Sequence, residues 1–366
     1  MSEPRRALPA TQGARPATGS RMPRSHALDG LRGVAAFIVV VHHALLLVPG
    51  LADVYRDPAS AMHTHPWLTL APVHLFWDGR AAVIAFFVLS GLVLAPARFE
   101  GGRSWLTYYA GRLPRLYLPV VGSVLLALAW AIAVPRTTGG DHSWWAQIHA
   151  GQVGLRGTVN SLVLLFGVSS LNTPLWSLQW EMWFSLLLPL YIWIVVACGR
   201  RSWLLLLPAL AAVAVGQYLH WGSLHYLPVF LVGVVIAHHA GAITATIARW
   251  SRAQGVLWML VSIWLAGAAW WPVGSGALGT DWWTVASEVL VVLGASGIVL
   301  YLLGNRKLEA WGTRPTVEWL GSRSFSLYLT HEPLLVSMDY LLPGQRQLSI
   351  VLGIAAALLL AEVFFR

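Results

Sequence analysis

Ten apolar runs, each long enough to cross about 30 Å of hydrocarbon as a helix, recur along this chain of 366 residues with short polar breaks between them. They lie near 31–48, 80–97, 116–134, 176–197, 203–220, 224–241, 255–272, 283–304, 324–342 and 347–364. A backbone in lipid must pair every amide within its own structure, so the pattern predicts an all-α, polytopic transmembrane helical bundle of about ten spans. Composition points the same way. Only 11% of residues are charged and 57% are hydrophobic, whereas a soluble domain carries about 25% charged residues and needs them to cover its surface. One membrane domain is expected over 26–366. The segment 1–25, with Arg5, Arg6, Arg15, Arg21 and Arg24 among Pro, Ala, Gly and Ser, is expected to be a disordered basic cytosolic tail. It lacks the apolar core of a cleavable signal, so the first run is expected to be retained.

Charge orients the spans. Basic residues gather in the tail, in 98–115 (Arg98, Arg103, Arg112, Arg115), at Arg200 and Arg201, at Arg249 and Arg252, and in 304–323 (Arg306, Lys307, Arg314, Arg323). With ten spans all of these face the cytoplasm, which also holds both termini, and 49–79, 272–282 and 342–346 face outward. An eleventh, shorter run, 158–168, would invert everything after it if it crossed. The segment 135–175 is therefore expected outside, with 158–168 at the interface or re-entering. The expected location is the cell's inner (plasma) membrane.

The net charge of +9 does not imply nucleic acid, because the arginines are spread over loops and not interleaved with stacking aromatics. A single cysteine, Cys198, excludes an internal disulfide and a thiolate-rich metal centre. His63, His65, His142, His149, His238 and His239 have no carboxylate at ligand spacing, and no metal site is expected. Among 21 tryptophans, Trp67, Trp77, Trp144, Trp145, Trp270, Trp271, Trp282 and Trp283 fall at outer boundaries and suit an aromatic belt.

Ionisable residues inside apolar runs are costly and point to function. In the first run Arg32 and His43 are eleven residues apart, close to three turns, so they share a helix face about 16 Å apart. Arg32 is expected at the cytosolic boundary and His43 near mid-membrane; His42 points elsewhere. A neutral imidazole can take the proton of a sugar or polyol hydroxyl as it attacks a thioester, the role expected of His43. The second run carries Phe86-Phe87-Val88-Leu89-Ser90-Gly91, whose small residues suit close helix packing. Arg112 and Arg115 stand where paired guanidinium donors can grip the phosphates of a coenzyme A donor, or simply anchor a helix on the inside. Glu181 is the only acidic residue of its run and needs a partner, a histidine, an arginine or a substrate hydroxyl. His331 is a second intramembrane imidazole, and Pro333 beside it predicts a kinked helix.

Taken together, these segments resemble the acyltransferase-3 family of membrane O-acyltransferases, which modify surface polysaccharides, peptidoglycan and some antibiotics. The resemblance covers about 26–345. It is carried by Arg32 through His43, Phe86-Phe87 with Ser90-Gly91, the Arg112 and Arg115 pair, Trp176-Ser177-Leu178 with Glu181, and Ser326-Leu327-Tyr328-Leu329 with His331-Glu332-Pro333. It implies an acyl-CoA donor, acetyl-CoA by default, entering from the cytosol, and a hydroxyl-bearing acceptor, a glycan or small metabolite. It further implies His43 as catalytic base and the Arg112 and Arg115 pair near the donor; beside these, Arg32 and Ser90 are expected at the donor site, and Glu181 and His331 are expected to orient or charge-balance the site. Two positions depart from the family pattern: Ile84 stands where a polar or acidic residue is common, and Thr330 where a tryptophan is. The rival reading is a proton-coupled transporter with buried His and Glu as its relay, but no matching inverted halves are visible.

Overall fold

The computed structural model describes residues 25–99, 104–151, 154–272 and 277–366. The basic tail, apart from Ser25, and Arg103 lie outside the described residues. Among the described residues there is no β-strand, and twelve helices have eight residues or more. They are α1 (His26–Leu45), α2 (Gly79–Leu94), α3 (Trp105–Ala133), α4 (Leu155–Val163), α5 (Leu175–Cys198), α6 (Leu206–Tyr218), α7 (Gly222–His238), α8 (Ala240–Ile247), α9 (Arg252–Ala266), α10 (Asp281–Gly304), α11 (Pro315–Leu341) and α12 (Arg346–Phe365).

Several starts are set by side chains that accept from the orphan N–H groups of a first turn. Ser25 does so for α1, Asp78 for α2 and Ser104 for α3. Ser251 and Gln254 form a reciprocal capping box at α9. α1 packs along α11, which also carries α12 and α3, while α2 packs on α7, α1 and α10. Small residues allow the closest crossings. A Cβ on Gly91 of α2 would strike the Phe230 carbonyl of α7, and one on Gly233 would strike the Val88 carbonyl. Gly33 of α1 and Gly321 of α11 meet in the same manner.

Five stretches are long and apolar enough to cross a membrane: His26–Leu45, Trp105–Ala133, Leu175–Tyr218, Asp281–Gly304 and Arg346–Phe365; α7 with α8, bent by 70°, makes a sixth. Ten spans are therefore not established by length and composition. The physical reasons differ by element. The 44 residues of Leu175–Tyr218 contain two of the ten runs, α2 and α9 are only 16 and 15 residues long, and α11 carries Glu318, Arg323, His331, Glu332 and Asp339.

The connection from α3 to α5 is inserted along α11. Tyr340 donates to the Thr137 carbonyl (2.9 Å), and His142 Nδ1 lies 2.6 Å from Asp339. Deeper, Asn172 donates to the Leu329 carbonyl (2.9 Å) and Tyr328 to that of Pro174 (3.1 Å). Residues 328 to 340 cover about 18 Å of helix, so α5 begins well inside the bundle. The run 158–168 packs there too, with its Val163 carbonyl accepting from Tyr117 (2.6 Å) and its Leu165 carbonyl from Trp183 (3.2 Å).

Candidate active site

His43 stands in the last turn of α1, against the middle of α11, where Pro333 follows two residues after His331. Its Nδ1 lies 2.8 Å from His331 Nε2. His331 is fully buried, and its Nδ1 lies 3.0 Å from the Leu327 carbonyl, which only an N–H satisfies. In a neutral His331 the lone pair then sits on Nε2 and accepts from His43 Nδ1–H. This network assigns the lone pair of His43 to its Nε2.

Glu332 Oε2 is 3.6 Å from that nitrogen. A carboxylate with no exposure must be compensated by donors, and Thr173 supplies two of them to Glu332. Thr173 gives its backbone N–H to Oε1 and its hydroxyl to Oε2, both at 2.6 Å, and His149 Nε2 is 2.9 Å from Oε1. Trp145 covers the other face of His43, with ring centroids 5.2 Å apart and planes 17° from parallel. The inserted connection thus fixes Glu332 and roofs the imidazole at once. His43 keeps 9% of its surface open.

A cavity of about 230 Å³ approaches this cluster from the opposite end of α1. Arg32, Ser90, Arg112, Arg115, Glu181 and Tyr328 line it, from five different helices. Tyr328 links the two regions: its hydroxyl is 2.7 Å from Ser177, and its ring centroid is 6.0 Å from that of His331. Arg112 donates to Glu181, and its Nε reaches Ser185 at 3.5 Å. A partly buried guanidinium held by a buried carboxylate keeps further N–H donors for an anion, and Arg115 lies exposed on the same rim.

The expected residues therefore fall into two groups. His43 and His331 are in direct contact, while Glu181 joins the arginines and does not reach the histidines. Arg32, Arg112, Arg115 and Ser90 share the cavity. Sequence reasoning gave Glu332 no role of its own and set His149 aside, because the partners that define them lie 159 and 183 residues apart in the chain. The aromatic belt is also only partial: Trp67 and Trp282 are exposed, but Trp77, Trp145 and Trp270 are buried against histidine rings and Trp283 against Trp271.

Comparison with known proteins gives two matches. A family model described as an acyltransferase domain matches residues 25–366. An O-acetyltransferase of Phomopsis amygdali, PaAT-1, is 26% identical over 393 positions that cover 89% of this chain and 75% of that protein. No solved structure matches.

Proposed function

This chain belongs to the acyltransferase-3 family and is an acyltransferase of groups other than aminoacyl; from that premise we propose that it carries an acyl group from acyl-CoA to a hydroxyl. The acyl group is acetyl in the simplest case. The acceptor is a glycan or small metabolite, and His43 is the general base. The protein sits in the inner membrane with ten spans and both termini in the cytosol.

One observation carries this reading: an imidazole paired with His331 and facing the Glu332 carboxylate stands one side chain beyond a cavity rimmed by three guanidinium groups. Arg32, Arg112 and Arg115 match the phosphates of coenzyme A, and the part of the cavity lined by Tyr328 receives the acyl thioester. The acceptor O–H gives its proton to His43 Nε2 as its oxygen bonds to the thioester carbonyl carbon. The imidazolium so formed faces Glu332, whose fixed charge favours this state over the neutral ring. Collapse of the tetrahedral adduct breaks the C–S bond, and the departing thiolate takes the proton back. Ester and CoA thiol leave, and His43 is restored.

The test uses purified full-length protein with radiolabelled acetyl-CoA, counting hydrolysis or transfer to added acceptors. Removing a general base typically costs about 10²–10⁴-fold. His43→Ala should lose that much turnover, and turnover equal to the parent's would end the assignment of His43 as the base.

A further inference from the structure

His149 meets a hydrogen-bond acceptor on each side of its ring. It is buried in the connection between α3 and α5, with Nδ1 2.9 Å from the Trp145 carbonyl and Nε2 2.9 Å from Glu332 Oε1. A neutral imidazole carries one N–H and a carboxylate carries no hydrogen, so these two contacts need one hydrogen more than a neutral ring and an ionised Glu332 hold between them. Neighbouring histidines have no such deficit. His74 also uses both nitrogens, with Nδ1 2.8 Å from the Thr69 carbonyl, but Tyr55 brings its own hydroxyl hydrogen to Nε2 at 2.9 Å. In the His43 and His331 pair, one N–H spans the two rings and the other meets the Leu327 carbonyl. An extra proton is therefore bound in the His149–Glu332 pair, on the imidazole or on the carboxyl.

The surroundings favour the imidazole. Thr173 directs its N–H at Oε1 and its hydroxyl at Oε2, both at 2.6 Å, the short length of bonds to an ionised oxygen. A carboxylate with no exposure and only neutral donors takes up a proton, whereas one held by a cation keeps its charge. Arg136, in the turn after α3, acts on Glu332 through space, but its guanidinium reaches Ser337 at 3.4 Å. The charge of Glu332 also acts on His42 of α1 and on Tyr328 and His331 of its own helix. His43 faces Oε2 at 3.6 Å and has its Nδ1 on His331. That leaves His149 as the group in hydrogen-bond contact with the carboxyl that can carry the balancing charge.

We propose that His149 is a standing imidazolium and a positioning residue: it keeps the extra proton, so that Glu332 stays ionised toward His43 throughout the reaction. No proton passes through it. Trp145 touches both imidazoles, with ring centroids 5.2 Å from His43 and 4.9 Å from His149, and its face favours the cation that forms on His43. Naming His149 a positioning residue for acyl transfer rests on His43 being the base; the place of the proton does not.

The experiment is infrared difference spectroscopy on the full-length protein in detergent at pH 7, with Glu332→Gln, His149→Gln and the double variant. The parent minus Glu332→Gln should contain no C=O band of a protonated carboxyl, because Glu332 is ionised. His149→Gln minus the double variant should contain one, since the carboxyl there has lost its cation. A protonated-carboxyl band in the first difference, which needs only Glu332→Gln to fold, puts the proton on Glu332 and overturns the proposal. Kinetics supply a second readout. Gln keeps a donor for Oε1, and a buried carboxyl without its cation is raised above neutrality, so kcat of His149→Gln relative to the parent should fall about ten-fold at pH 7 and return to within about two-fold at pH 9. A merely structural role gives a ratio that ignores pH, and that result also overturns the proposal. On a Glu332→Gln background, His149→Gln should change kcat by less than about two-fold, because the two residues act as one unit. If His43→Ala keeps full acyl transfer while the parent lacks the band, the base assignment fails and the imidazolium stands. A band in the parent of an enzyme that needs His43 gives the reverse.

Discussion

Glu332 is the residue whose role is most open to measurement. Glu332→Gln preserves the volume and keeps an oxygen for Thr173, but removes the charge that faces His43 Nε2 at 3.6 Å. Its effect should fall on the step that forms the imidazolium: kcat lower by about 10²-fold, with the KM for acetyl-CoA unchanged. Steady-state kinetics with labelled acetyl-CoA decide it, and a KM effect without a kcat effect would contradict the role. Arg112 should behave the opposite way. Arg112→Ala should raise the KM for acetyl-CoA about ten-fold and also strand Glu181, which is 8% exposed. Losing a partner costs about 3–5 kcal/mol for a fully buried pair, and less here because the Arg112 side chain is 26% exposed. Adding Glu181→Gln should therefore restore the melting temperature but not the KM. His43 and His331 were legible in the sequence because an ionisable group inside an apolar run has few bland explanations. Glu332 and His149 were not, because nothing local marks which of several acids and histidines will meet across 183 residues.

Capping and close crossings govern the helices. Asp78 is 2% exposed and caps α2, accepting from Ala81 N–H at 3.0 Å. Burial is the largest influence on its carboxyl and outweighs that hydrogen bond, raising its pKa from 3.8 to about 6. A folded value above the unfolded one contributes stability that is complete below about 4 and lost as pH rises through 6. Asn keeps the capping oxygen and does not titrate. Asp78→Asn should thus be most destabilising near pH 4, and its deficit should shrink by roughly 3 kcal/mol at most by pH 7. Thermal melts at both pH values test the sign; a deficit that grows with pH would refute it. Gly233→Leu should do harm at every pH, because the side chain would have to displace the backbone of α2 at Val88 and Gly91. Overpacking of this kind costs about 1–3 kcal/mol or more, readable as loss of the monodisperse peak in detergent chromatography. The start of α2 was close to legible, with the run expected from 80 and the helix beginning at Gly79. The insertion of 135–174 along α11 was not, since its hold is a ladder of single hydrogen bonds with no sequence periodicity.

At the scale of the whole molecule, the helical membrane character follows from apolar runs that no soluble surface could cover, but the number of crossings does not. Short helices such as α2 and the charged α11 are stabilised by neighbours, and hydropathy alone cannot separate them from re-entrant pieces. The decisive segment is 135–174. If it enters beside α11 and returns through α5, as the contacts of Asn172, Thr173 and Pro174 suggest, then the ends of α3 and α5 lie on opposite faces. If α4 and its neighbours crossed fully, they would lie on the same face. Cys198, the only cysteine, is exposed at the end of α5 next to Arg200 and Arg201, so it is a built-in reporter. A membrane-impermeant maleimide should leave Cys198 unlabelled in intact cells and label it in inverted vesicles, because the adjacent arginines favour the cytoplasm. Thr138→Cys, placed in the exposed turn after α3 on a Cys198→Ser background, should label in intact cells. Labelling of both sites from one face would restore the crossing at 158–168 and reverse the orientation of every helix after it.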